Sequence, residues 1–173
     1  MSKTATTPKR PIPDPTKIHI LGVSLVKGAL DASDAYLQAP GRPELVKVQQ
    51  HQVSRFNDAQ KLFLVRLTIE LEGQDKKAQP IGLSSSYVLD FQVRVDDLDD
   101  FKQGVQNGNP VIDGQLVATV MGILYSTARG IILERTRGTF FDGVILPVIS
   151  PKDLVGPEPS TGVRLRDRGS QPR

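Results

Sequence analysis

The stretch from Asp113 to Val155 constrains this chain more than any other. It opens as a long helix, with Asp113 suited to the N-cap. Leu116, Val120, Ile123 and Thr127 recur at helical spacing as one stripe, and Val117, Leu124, Ala128 and Ile131 form a second beside it. Met121, Tyr125, Ile132 and Leu133 widen the apolar arc beyond what one sheet can cover. A helix apolar most of the way round is normally buried on two sides. The second side must therefore meet another subunit, another segment or a ligand. Glu134, Arg135 and Arg137 end the helix, with Gly138 as its C′ residue. Thr139 to Ile149 reads as extended, stiffened by Pro147 and Pro151.

The chain before this stretch reads as a four-stranded antiparallel sheet. Lys61 to Glu72 alternates strictly, with Phe63, Val65, Leu67, Ile69 and Leu71 on one face. Ile81 to Val95 does the same through Leu83, Tyr87, Leu89, Phe91 and Val93, with Ser85 as the only break. Lys17 to Lys27 is the first strand, with His19, Leu21, Val23 and Leu25 assigned to one face. Glu44 to Arg55 is the second and more weakly patterned one. Ala29 to Pro43 reads as a loop. Asp96 to Gln103 reads as a short helix or turn, followed by the loop GVQNGNP. The fold class is α+β: the sheet, a short helix, then a long C-terminal helix. Residues 1–16 form a disordered arm, 17–155 the folded domain, and 156–173 a disordered basic tail.

Composition excludes several function classes. With no cysteine there is no disulfide, thiolate nucleophile or cysteine zinc site. His19 and His51 lie on strands, with no cluster at metal-ligand spacing. Asp96, Asp97, Asp99 and Asp100 lack the glycine and ligand spacing of a calcium loop and read as a solvated helix start. Ser84, Ser85 and Ser86 have no nucleophile elbow around them. No catalytic residue, metal or cofactor is expected, so the function is binding. The first residues lack the apolar core of a signal peptide. The apolar run Leu116 to Tyr125 is shorter than the roughly 20 residues a bilayer span needs, and a cytoplasmic protein without membrane insertion is expected. Arg164, Arg166, Arg168 and Arg173 make the tail basic. Solubilising disorder is the plain account of them, and contact with nucleic acid is the alternative.

The order of elements resembles SecB-type export chaperones, in the form of a divergent SecB-like member. Residues 125–140, YSTARGIILERTRGTF, are similar to the end of that family's long helix through Ala128, Arg129, Arg137, Gly138, Thr139 and Phe140. ILPVISPKDLV resembles its closing segment through Leu146, Val148 and Leu154. The resemblance spans about residues 17–155. It implies an ATP-independent holdase that binds unfolded or precursor polypeptides, for protein export or for a dedicated client such as an antitoxin. It also implies a homo-oligomer, a dimer of dimers, assembled through the first strand and the long helix. Near Ser84 and from Gly22 to Lys27, where the family carries carboxylates that dock the motor ATPase SecA, this sequence has none. A non-catalytic adaptor that binds one folded partner is the alternative reading.

The expected polypeptide-binding residues are Tyr87, Leu89, Phe91, Met121, Tyr125, Phe140 and Phe141, for each of which simple core packing is the competing account. The expected oligomer-interface residues are Leu21, Val23, Leu116, Val120, Ile123 and Thr127.

Overall fold

The computed structural model describes residues 11–57, 59–106, 109–150, 153–154 and 160–164. Four long strands, β1 (Ile18–Ala32), β2 (Leu45–Asn57), β3 (Leu62–Gln74) and β4 (Pro80–Val95), and a short one, β7 (Ser160–Arg164), form one sheet. Its order is β1-β4-β3-β2-β7, and every pairing is antiparallel. A two-stranded ribbon, β5 (Lys102–Gln106) with β6 (Asn109–Ile112), leads into the long helix α2 (Gly114–Arg135).

The alternation of β3 and β4 sets the core. Phe63, Val65, Leu67 and Ile69 are buried opposite Val93, Phe91, Leu89 and Tyr87 on the neighbouring strand, and Leu71 and Leu83 extend the same buried face. Burying each such side chain contributes about 1.5–3 kcal/mol. Ser85 shares this face, and its hydroxyl donates to the Ala29 carbonyl at 2.7 Å. A buried hydroxyl with a partner avoids the cost of an unmade hydrogen bond.

Helix α2 lies on this face through Leu116, Val120, Met121, Leu124, Tyr125, Ala128 and Ile132. Asp113 caps it as expected, its carboxylate accepting from Gln115 N at 2.8 Å. The same carboxylate accepts from Gln103 Nε2 at 2.6 Å, which ties β5 to the helix start. Buried Thr136 closes the last turn through the Ile132 and Leu133 carbonyls, and Gly138 takes a left-handed φ of 69° just beyond. By length and apolar content alone α2 is sufficient to cross a membrane, where the run Leu116 to Tyr125 by itself was too short. Here its apolar stripe meets the sheet.

The structure corrects several expectations. Strand β1 runs on to Ala32, and the expected loop contains a short helix, α1 (Asp34–Gln38), capped by Ser33. Ser33 N donates to the Gly82 carbonyl at 2.8 Å, which seats the crossover on β4. The expected loop GVQNGNP contributes to both strands of the β5–β6 ribbon. Irregularities in β1 between Ile20 and Gly22 and between Leu25 and Lys27 leave Leu21 and Val26 without direct partners. An extra residue shifts the inward–outward alternation. His19 therefore pairs beside exposed Arg94, while Val23 and Leu25 pair beside buried Phe91 and Leu89.

Of the expected arm, residues 1–10 lie outside the described residues, and Asp14 caps a 3-10 turn over Pro15–Lys17. Of the expected tail, residues 156–159 and 165–173 lie outside them, but Ser160–Arg164 is strand β7, paired with β2 from Gln49 to Leu45. An open sheet edge offers a row of unpaired backbone groups, which is what such a segment can satisfy.

Candidate polypeptide-binding surface

A recess of about 550 Å³ opens where α2 starts across the far end of β2 and β3. Phe56, Phe63 and Val65 form its sheet wall, Val117, Val120 and Met121 its helix wall, and Pro110 and Ile112 of β6 its rim. The Phe56 and Phe63 rings are 5.3 Å apart, and the Lys102 ammonium sits 5.7 Å from the Phe56 centroid. The β5–β6 ribbon turns what would be the edge of a core into a groove. Ser54 and Arg55 complete the lining, so the recess combines aromatic and aliphatic walls with a hydroxyl and a charged side chain.

The aspartates next to the ribbon are all engaged except Asp100, for which no ion pair is seen among the described residues. Asp97 pairs with Lys17, Asp96 with His19 and Arg94, and Asp99 with Lys61 and Lys102. The Lys102 and Lys61 ammonium groups hold the Asp99 carboxyl down at about 2. No cluster able to hold a metal ion occurs among the described residues. On the outer face of the sheet, Arg66 grips Asp90 in a two-bond fork at 2.7 Å, which draws the Asp90 carboxyl below its usual range.

The expected site residues divide sharply. Tyr87, Leu89, Phe91, Met121, Tyr125 and Phe141 are all buried, and among them Met121 lines the groove. Burial pushes the Tyr125 hydroxyl up to about 12. Phe140 alone of that set is exposed, at 39%. Leu116 and Val120, expected at a subunit contact, are only 1% and 2% exposed because the sheet takes their stripe. Ile123 and Thr127 lie on the outward side of α2, beside Gln115, Ala118, Thr119, Gly122 and Ser126. Leu21 is half exposed, and Val23 and Leu30 are exposed although they pair beside buried or core-facing residues of β4. The helix therefore leaves part of the inner face of β1 uncovered.

No protein-family model and no curated protein sequence matches this chain. A solved structure does: the Mycobacterium tuberculosis SecB-like chaperone Rv1957, determined in complex with a ChAD peptide from the Rv1956 HigA1 antitoxin. The match has a TM-score of 0.51 at 15% identity, and covers 78% of this chain and 92% of that one. This chain has a SecB-like fold.

Within the SecB-like fold, the motif residue Arg129 has a clear task. Its Nε donates to the Leu146 carbonyl at 3.0 Å and straps the segment after α2 along the helix. Phe141, Val144 and Leu146 of that segment face inward, while Ile145 and Val148 face out. Sequence reasoning missed the groove wall formed by Phe56, Pro110 and Ile112. The Asn107-Gly108 dipeptide between Val105 and Val111 is the hairpin signal that would have found the ribbon.

Proposed function

We propose that this protein is a molecular chaperone that holds non-native polypeptide without catalysis. The observation that carries this reading is the apolar groove between α2, the end of β2–β3 and the β5–β6 ribbon. Its fold, shared with a chaperone solved with an antitoxin peptide, supports an extended polypeptide as the ligand. Clients are either unfolded precursors in general or one dedicated chain such as an antitoxin. The uncovered inner face of β1, with the outward side of α2, is the surface through which copies assemble.

The test is light scattering during refolding of a chemically denatured, aggregation-prone enzyme. Suppression of aggregation at a few-fold molar excess is expected, and its absence overturns the reading. Val117→Asp, placed in the groove wall, should weaken suppression while the circular dichroism spectrum stays unchanged. A panel of unrelated denatured chains separates the two client classes: similar affinities mark a general holdase, and one tight binder marks a dedicated client.

A further inference from the structure

The groove between α2 and the sheet has apolar walls, yet one charged side chain, Arg55, belongs to its lining among the described residues. Arg55 is exposed and forms no hydrogen bond or ion pair among the described residues. It also borders a second recess, of about 510 Å³, on the outer face of the sheet, together with Val53, Leu64, Arg66, Asp90 and Gln92. The carboxylate in that lining does not neutralise it, because both oxygens of Asp90 are held by Arg66 at 2.7 Å. On the other side, Lys102, which sits over the Phe56 ring, has its own carboxylate in Asp99, shared with Lys61. Arg55 is thus a cation beside apolar surface whose charge these two carboxylates leave unanswered. A guanidinium keeps its charge at any physiological pH. Its aliphatic stem can lie along apolar surface while its head stays in water.

We propose that Arg55 reads charge at the groove, and that the preferred ligands are extended polypeptide segments in which an apolar run is flanked by Asp or Glu. This rests on the polypeptide-binding reading above and says which client sequences it favours. The apolar run fills the groove between Phe56, Phe63, Val117 and Met121. The flanking client carboxylate accepts from the Arg55 guanidinium. A client Lys or Arg at the same place meets a like charge and is disfavoured. Apolar contact supplies most of the affinity whatever the client's charge, and Arg55 sets the choice among clients. An ion pair at an exposed cation is modest in strength and is screened by salt. The discrimination is therefore a few-fold and disappears at high ionic strength.

The test uses three fluorescein-labelled peptides with one apolar core, Ser-Leu-Val-Phe-Leu-Ser, flanked on both sides by paired Glu, paired Gln or paired Lys. Binding to the full chain is read by anisotropy at low salt. Wild type should bind the Glu-flanked peptide about three-fold more tightly than the Gln-flanked one, and the Lys-flanked one about three-fold more weakly. The three should converge at about 1 M salt, where the screening length falls to about 3 Å. Arg55→Gln should flatten the order and Arg55→Glu should reverse it, while the Gln-flanked peptide binds both as it binds wild type. The chain carries a net charge of +3, so overall charge needs its own control. Lys76, 81% exposed in the turn after β3, provides it: Lys76→Glu makes the same charge change as Arg55→Glu and should keep the wild-type order. Reversal by Lys76→Glu as well overturns the proposal, because net charge then does the sorting. Equal binding of the three peptides to wild type at low salt, or a wild-type order that survives Arg55→Glu, also overturns it while leaving polypeptide binding intact. Failure of wild type to bind any of the three overturns both readings.

Discussion

The rings of Tyr36 and Phe140 meet edge to face, with centroids 5.3 Å apart and planes at 87°. The contact joins α1, in the crossover after β1, to the turn after α2. Tyr36 is buried and its hydroxyl donates to the Gly41 carbonyl, whereas Phe140 is partly exposed. Tyr36→Ala should therefore cost about 3 kcal/mol and Phe140→Ala about 1 kcal/mol. A double-mutant cycle by urea unfolding should return a coupling of about 0.5–1.5 kcal/mol. Zero coupling would mean the two rings are neighbours only.

Gly82 has a φ of 79°, and a Cβ there would fall within contact distance of the Ser33 hydroxyl and 3.1 Å from Ser33 Cβ. Ser33 is the α1 cap, accepting from Tyr36 N. Gly82→Ala should destabilise the fold by about 2–3 kcal/mol, from the left-handed backbone and the displaced cap together. Ser33→Ala should cost about 1 kcal/mol in the wild type. In the Gly82→Ala background it should cost much less, because the clashing hydroxyl is gone. Chevron or equilibrium unfolding of the four proteins checks this.

Asp99 joins the start of the ribbon to β3 through Lys102 and Lys61. Its carboxyl titrates near 2 in the folded chain, held down chiefly by the Lys102 and Lys61 hydrogen bonds, against about 3.9 when unfolded. A carboxyl lowered by folding contributes stability above its unfolded value, and loses it as pH falls through its folded one. Asp99→Asn should lower the urea midpoint at pH 7. The gap to wild type should narrow between about pH 4 and pH 2 and close below that. A gap that persists at pH 2 would show that the carboxylate charge is not what matters.

Val23 and Leu30 face the helix side of the sheet from β1 but remain 39% and 43% exposed. Val23→Asp with Leu30→Asp should leave the single-chain fold intact. It should move the sedimenting mass from a multiple of 18.9 kDa to 18.9 kDa at micromolar concentration. A wild-type chain already at 18.9 kDa would remove β1 as an assembly surface.

The sheet was legible where one face is dry and the other wet. From Phe63 to Leu71 the pattern matches burial residue by residue, because side chains alternate with a period of two. In β1 the same logic failed, since two unpaired residues shift the alternation and nothing in the sequence of Leu21 or Val26 announces them. The site was harder to read for a different reason. Apolar side chains look alike whether they fill a core or line a groove, and Leu89 and Phe91 proved to be core. The groove depends on how far the β5–β6 ribbon stands from Phe56, a tertiary distance with no local pattern. Strand β7 was invisible because five residues flanked by proline-rich chain carry too little periodicity to distinguish a strand from a tail.

The bare flank of β1 has one more consequence. If copies assemble through it and hold clients as proposed, a newly made subunit shows, until it meets another, the same kind of surface that the finished assembly would grip on its clients. Such a chaperone is its own first customer. The ratio of assembled to solitary chains would then set how much holding capacity is left for others. Holding capacity should therefore rise more steeply than in proportion to total protein as assembly sets in.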